Sequence, residues 1–187
     1  MNKINLKRNL KIRIAFFIQR IIGVNFFNKL INFLKLKKND EIEIISNYYI
    51  QNSYKGTMFD VGAQLGNSMN TLASAGWNAY CFEPNPVCLD ILSQRGKFFK
   101  NKVKIFDLAV SDKSNLSLNF YTSEGNLGIS SLHPFTESHI KLKKVKTITL
   151  KKFIFDQKIK KIDFLKIDTE GNDLSVLKGI DWDKLSP

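Results

Sequence analysis

Residues 57–66 read TMFDVGAQLG, a short apolar run that ends in a glycine-containing turn. The run predicts a buried β-strand, and the polar stretch after it predicts a helix over about residues 67–75. Gly62 and Gly66 suit a tight strand-to-helix turn, because glycine adopts positive φ angles and lets a ligand approach the backbone. The unpaired N–H groups at the start of the helix would face such a ligand.

Strand and helix patterns continue to alternate along the chain. Five further segments are predicted to form strands: NAYCFEP (78–84), VKIFDLAVS (103–111), LSLNFYTS (116–123), VKTITLKKFI (145–154) and IDFLKID (162–168). IDFLKID is the fourth core strand, whereas LSLNFYTS and VKTITLKKFI are predicted as added strands around a loop with Gly and Ser. Helices are predicted over about 86–98 and 173–178. Such alternation is typical of βαβ units, so we expect an α/β fold with a mostly parallel sheet and helices on both faces.

Glu83 ends the second predicted strand, 23 residues after Asp60. A carboxylate at this place can accept hydrogen bonds from both ribose hydroxyls of a nucleoside. Gln64 stands where a dinucleotide-binding G-x-G-x-x-G turn would have a second close glycine, which disfavours NAD. Asp107, Leu108 and Ala109 end the third predicted strand at the same edge, where they would border the adenine; a capping role for Asp107 fits equally well.

Charged residues mark the fourth core strand, where Lys166, Asp168 and Glu170 alternate with Ile167 and Thr169. Period-2 geometry predicts that the three charged side chains point to one side of the strand. A parallel core strand is ordinarily apolar, and unpaired ions there are costly. A functional site explains the pattern, and a structural ion-pair network is the alternative.

Five motifs taken together resemble the FkbM family of S-adenosylmethionine-dependent methyltransferases: FDVGAQLGNS, CFEPNP, LAVSD, GISSL and FLKIDTEGNDLSVLKG. The similarity runs from about residue 57 to 179, although Gln64 replaces the Asn usual in the family. It implies a Rossmann-like class I methyltransferase fold with a seven-stranded sheet, and methylation of a hydroxyl, often on a sugar or natural product. The sequence ends at Pro187, where the family continues with a fifth strand and a closing strand pair. We therefore expect a sheet that lacks its last strands, with an exposed edge that invites self-association.

The resemblance also implies the roles of individual residues. The ribose of S-adenosylmethionine would contact Glu83. Its methionine end would contact the residues of the glycine turn: Asp60, Gly62, Ala63 and Gly66. Asp168 and Glu170 would lie at the substrate-facing mouth, with Asp168 as the base or orienting group for the acceptor hydroxyl. A divalent ion held by these carboxylates is the alternative, although we expect no resident metal. Three residues are candidate contacts to the small-molecule or glycan acceptor: Ser130, Ser131 and His133.

Positive charge is concentrated at the start of the chain, where residues 1–38 contain ten Lys or Arg and no Asp or Glu. The remainder is nearly neutral, which argues against nucleic acid as a partner. The segment has no apolar run long enough to span a membrane and no signal-peptide cleavage site. We predict that residues 1–50 form a basic amphipathic helical segment, which contacts an anionic membrane or packs on the methyltransferase domain at 51–187.

The cysteines indicate the compartment, because Cys81 and Cys88 form neither a metal-binding nor a disulfide motif. We expect a cytoplasmic protein, peripheral to the inner face of the membrane where the basic segment contacts lipid. Two other functions stay open. One is a non-catalytic nucleoside-binding or membrane-associated remnant of an enzyme, and the other is an RNA methyltransferase.

Overall fold

The computed structural model describes residues 41–123 and 126–183. Most of the predicted basic segment and the chain end at Pro187 fall outside these residues, so their predicted structures stay predictions. None of the helices in the described ranges is both long and apolar enough to cross a membrane.

The described helices and strands follow one another in this order: α1 (Glu41–Gln51), β1 (Thr57–Val61), α2 (Asn67–Ser74), β2 (Asn78–Phe82), α3 (Pro86–Gly96), a 3-10 helix (Lys97–Lys102), β3 (Val103–Phe106), β4 (Ala109–Val110), β5 (Ser117–Ser123), β6 (Asn126–Ser131), β7 (His139–Ile148), α4 (Leu150–Asp156), β8 (Phe164–Ile167) and α5 (Asp173–Lys178). The alternation confirms the predicted mixed α/β class.

The first sheet has four parallel strands in the order β3-β2-β1-β8. In its register Val61 of β1 is paired with Phe82 of β2 and with Ile167 of β8, and Phe82 is paired with Phe106 of β3. All four strands therefore end at the same level. Their carboxyl ends form one edge, which is where open parallel sheets bind ligands.

Helices pack on both faces of this sheet because side chains alternate along each strand. On one face Met58 packs with Trp77 and with Leu72 of α2. On the other face Phe59 packs with Phe153 of α4 and Val176 of α5. These side chains are almost fully buried, and each stabilises the fold by about 1.5–3 kcal/mol relative to an exposed position.

The second sheet has the order β4-β7-β5-β6. β4 and β7 are parallel, whereas β5 is antiparallel to both β6 and β7. Its small core consists of four buried apolar side chains: Ala109, Phe120, Leu132 and Val145. The described strands therefore form two four-stranded sheets, whereas the resemblance implies a single seven-stranded sheet.

Three predictions of local structure were wrong. Residues 103–111 do not form one strand, because the chain leaves the first sheet after Phe106 and enters the second sheet at Ala109. Residues 145–154 combine the end of β7 with the start of α4, because the side chain of Thr149 accepts a hydrogen bond from Lys152 N at 3.1 Å and caps the helix. The expected loop with Gly and Ser contains the strand β6.

Candidate functional site

An open cavity lies at the carboxyl edge of the first sheet and encloses about 630 Å³ of empty space, including the solvent at its mouth. Its wall has three parts. The segments that follow β1 and β2 form the first part, with Gly62, Gln64 and Glu83. The second sheet forms the second part, with Phe120, Gly128 and Ser130. The loop after β8 forms the third part, with Asp168, Thr169 and Glu170. The cavity is therefore bounded by both sheets.

The turn after β1 is held tightly against β2. The N–H groups of Gly62 and Ala63 donate to the carbonyl oxygen of Phe82 at 3.0 and 3.1 Å. Gly62 has φ 75°, and a Cβ atom there would lie 1.8 Å from the carbonyl oxygen of Asp168. Only glycine fits both conditions, so Gly62 lets the turn pass close to the end of β8.

Glu83 is buried in the cavity wall, with 6% of its surface exposed. One carboxylate oxygen, Oε1, accepts a hydrogen bond from Asn85 N at 2.7 Å, and Oε2 accepts one from Gln64 N at 2.7 Å. Burial raises the pKa of Glu83 to about 7, although the two backbone N–H groups act in the opposite direction. Each oxygen of an ionised carboxylate has a further lone pair, which leaves Glu83 able to accept hydrogen bonds from a ligand.

Asp60 lies beneath the turn, where it is fully buried. Its Oδ1 forms an ion pair with Lys166 Nζ at 3.2 Å, and Lys166 Nζ also donates to the carbonyl oxygen of Gly62 at 2.9 Å. Burial raises the pKa of Asp60, and the charge of Lys166 opposes this shift. Asp60 thus supports the turn through Lys166 and does not form part of the cavity wall.

Asp168 and Glu170 lie on the loop that follows β8. The Asp168 side chain is 61% exposed, and its Oδ2 lies 3.6 Å from Lys166 Nζ. The predicted alternation does not reach Glu170, because β8 ends at Ile167 and Glu170 has a left-handed φ of 54°. Both carboxylates still line the cavity. The pKa of Glu170 is raised mainly by desolvation and, to a smaller extent, by the negative charges of Asp168 and Asp173.

The loop is held from two sides. Ser131 Oγ donates to the carbonyl oxygen of Glu170 at 2.7 Å, and Asn172 Nδ2 donates to the carbonyl oxygen of Val110 at 2.9 Å. Within residues 41–123 and 126–183 no group of three or more His, Cys, Asp or Glu side chains is arranged to hold a metal ion. Proton acceptance by an exposed carboxylate is the chemistry that this part of the site can perform.

Residues 60–187, about two thirds of the sequence, match the family model described as the Methyltransferase FkbM domain. The match begins at Asp60 and includes the whole cavity wall. The chain belongs to the FkbM methyltransferase family. Its activity is therefore methyl transfer in general terms, and the cavity is the candidate active site. No curated protein and no solved structure gives a significant match to the sequence.

Not every residue predicted for this FkbM-family site reaches the cavity. Asp107 is displaced, because the chain leaves the first sheet there; its side chain is 51% exposed and forms an ion pair with Lys143 at 2.9 Å. Ala63 and Gly66 lie behind the turn, and a Cβ atom on Gly66 would meet Leu92 and Met69. Ala109 and Ser130 do line the cavity.

Two predicted acceptor contacts lie off the cavity wall. Ser131 is buried, and its hydroxyl is occupied by the carbonyl oxygen of Glu170. His133 follows β6 on the exposed side of the chain and does not line the cavity. These two residues diverge from Ser130 because successive residues of a strand point to opposite faces and the strand ends at Ser131.

Sequence reasoning missed Asn85, which is 1% exposed. Its Oδ1 accepts a hydrogen bond from Val87 N at 3.0 Å and caps α3, and its Nδ2 donates to Ser130 Oγ at 2.9 Å. The capping role had a readable signal, because Asn followed by Pro at the first helical position is a typical helix start. The contact to Ser130, 45 residues away, had none.

Proposed function

We propose that this FkbM-family methyltransferase uses S-adenosylmethionine and methylates a hydroxyl oxygen of a sugar or another small molecule. The observation that carries the proposal is the buried Glu83 carboxylate on the cavity wall, beside the Gly62 turn. A carboxylate at the end of the second strand is suited to both ribose hydroxyls of a nucleoside. The backbone N–H groups that hold its oxygens fix its direction before a ligand arrives.

The remaining wall suits a cationic donor. Glu83, Asp168 and Glu170 line the cavity, and Asp60 with Lys166 lies beneath it. Wall carboxylates attract a sulfonium group electrostatically. Four wall residues supply the apolar surface on which an adenine ring would pack: Phe82, Leu108, Phe120 and Leu132.

S-adenosylmethionine, when bound, supplies a methyl group that its sulfonium sulfur has already activated. The protein then has to align an oxygen nucleophile with that carbon. Asp168 would accept the hydroxyl proton of the acceptor as that oxygen takes up the methyl group, and the donor would leave as S-adenosylhomocysteine. Glu170, on the same wall, is the second candidate for this proton, and Ser130 faces the acceptor from the second sheet.

Calorimetric competition tests the donor. S-adenosylmethionine and S-adenosylhomocysteine should exclude each other with one site per chain, whereas NAD should not compete. Acceptors are then compared in pairs, each sugar or phenol with its deoxy or O-methyl counterpart, by formation of S-adenosylhomocysteine. Product formed only with the free hydroxyl supports O-methylation. Equal turnover of blocked and free compounds, or transfer to amines alone, contradicts it.

We also propose that residues 1–38 adsorb to an anionic membrane on its cytoplasmic face. Each of the ten basic residues near such a surface contributes about 1 kcal/mol. The full chain should cosediment with vesicles containing phosphatidylserine and be released by salt, and a variant without residues 1–38 should stay in solution. Equal binding to neutral vesicles, or unchanged binding after the deletion, contradicts the proposal.

A further inference from the structure

Two adjacent residues of β6 join the second sheet to opposite sides of the cavity. Ser130 Oγ accepts a hydrogen bond from Asn85 Nδ2 at 2.9 Å. Ser131 Oγ donates to the carbonyl oxygen of Glu170 at 2.7 Å. β6 is therefore tied on one side to the chain that follows β2, and on the other side to the loop that carries Asp168 and Glu170.

Asn85 connects β6 to Glu83, and three of its polar groups have separate partners. Its backbone N–H donates to Glu83 Oε1 at 2.7 Å, its Oδ1 caps α3, and its Nδ2 reaches Ser130. Ser130 Oγ also lies 3.2 Å from Thr122 Oγ1 of β5, which extends the contact into the second sheet. These bonds therefore connect the Glu83 carboxylate to β6 through a residue that is almost fully buried.

Glu83 is also the group to which the ribose hydroxyls of a bound nucleoside would donate hydrogen bonds. Without a ligand, its burial raises its pKa to about 7, so near neutral pH a fraction of the molecules carries a proton on this carboxyl group. Ribose hydroxyls favour the ionised form, which accepts hydrogen bonds at both oxygens. The bond from Asn85 N to Oε1 is stronger when that oxygen is charged, so the occupied site holds Asn85 more firmly.

We propose that Asn85 is a positioning residue through which occupancy of the nucleoside site orders β6 and, through Ser131, the acceptor-side loop. This inference rests on the proposed function, because it takes the cofactor ribose as the ligand of Glu83. Donor binding then prepares the wall that meets the acceptor, and by reciprocity acceptor binding strengthens donor binding.

Amide hydrogen exchange of the full chain, with S-adenosylhomocysteine as the probe, tests the inference. In the wild type the probe should slow exchange at residues 62–64, in β6 and at residues 168–172. Asn85→Ser retains a helix cap of similar strength, but its shorter side chain does not reach Ser130. This variant should bind the probe within about tenfold of the wild type, as expected for one neutral hydrogen bond. It should keep the protection at 62–64 and lose it in β6 and at 168–172.

Ser123→Ala is the matched control, because it removes the 2.7 Å bond from Ser123 Oγ at the end of β5 to Ser138 Oγ in the turn before β7 and leaves Asn85 untouched. It should keep the full protection pattern. If Asn85→Ser does not fold, Ser130→Ala breaks the same contact and leaves the cap in place. The inference is overturned, and the proposed function is not, if the wild type binds the probe without protection of β6. The same holds if Asn85→Ser, or Ser130→Ala in its place, keeps the full protection. Failure of the wild type to bind the probe overturns the cofactor assignment as well.

Discussion

Glu83 and Asp168, the carboxylates to which we assign the donor and the acceptor, differ sharply in their surroundings. Glu83 is 6% exposed, and both of its oxygens are bound by backbone N–H groups. The Asp168 side chain is 61% exposed, and its contact to Lys166 is a loose 3.6 Å ion pair. The Glu83 side of the cavity, which we propose for the donor, is thus preorganised by burial, whereas the side that we propose for the acceptor keeps an accessible carboxylate. Substitutions on the two sides should therefore affect different steps.

The largest effect is expected on the acceptor side. Asp168→Asn should lower kcat by roughly 10²–10⁴-fold, because it removes the base that accepts the hydroxyl proton. Affinity for S-adenosylmethionine should stay within a few-fold of the wild-type value, since the Asp168 side chain is exposed and the ribose is assigned to Glu83. Steady-state kinetics and calorimetry on the same preparation measure both quantities.

Asp156→Asn is the control for this substitution, because it also neutralises an exposed aspartate that pairs with a lysine, Lys152 of α4. It should change neither quantity. If Glu170→Gln abolishes turnover while Asp168→Asn does not, the proton acceptor is Glu170. A joint loss of cofactor binding and turnover in Asp168→Asn would assign that residue to the donor side and remove the contrast.

On the donor side, Glu83→Ala should weaken binding of S-adenosylhomocysteine by about 1.5–3 kcal/mol, the range for hydrogen bonds to a charged group. The substitution also leaves the N–H groups of Gln64 and Asn85 without their carboxylate partner, so thermal unfolding must be measured in parallel. Asp107→Asn is the matched variant, because that carboxylate also follows a strand of the first sheet but pairs with Lys143 at the surface. It should bind normally, and equal losses in both variants would contradict the assignment of Glu83.

The smallest effect concerns the backbone of the turn. Gln64 has φ 50°, a left-handed conformation that L-residues other than Asn and Asp adopt at a cost. Gln64→Gly should therefore raise the free energy of unfolding by a few tenths to about 1 kcal/mol, since relief of strain exceeds the added chain entropy. Urea unfolding measures it. A clear loss of stability would mean that side-chain contacts of Gln64 outweigh its backbone strain.

The fold was predictable where local pattern and burial agree. The strands at 57–61 and 78–82 and the helix at 173–178 follow from apolar runs and turn residues, and the structure has all three. The prediction failed at 103–111, because an apolar run does not reveal that its two halves pair with different sheets. It also failed at 149–154, where the capping Thr149 overrides the β-propensity of its neighbours.

The places of Gly62 and Glu83 in the cavity wall were predictable from the sequence, whereas those of Asp107 and of the residues in and after β6 were not. Gly62 and Glu83 belong to one continuous βαβ unit, so their spacing along the chain determines their positions in space. Ser130, Ser131 and His133 come from a separate sheet, and neither its orientation nor the bond from Asn85 to Ser130 is encoded in local spacing. Asp107 was misplaced for the same reason, since its side chain depends on where β7 brings Lys143.

Proton linkage of ligand binding tests the central claim, that buried Glu83 receives the nucleoside, most directly. Burial raises the pKa of Glu83 to about 7, and ribose hydroxyls favour the ionised carboxylate, so binding near neutral pH should release protons. S-adenosylhomocysteine is titrated near pH 7 in two buffers of different ionisation enthalpy, with the wild type and Glu83→Gln.

In the wild type, a fraction of a proton should leave per bound ligand near pH 7. The release should fade above that pH, and the affinity should weaken as the pH falls below 7. Glu83→Gln should bind more weakly and lose this component. Ligand binding without proton release in the wild type, or an equal release in Glu83→Gln, would contradict the account.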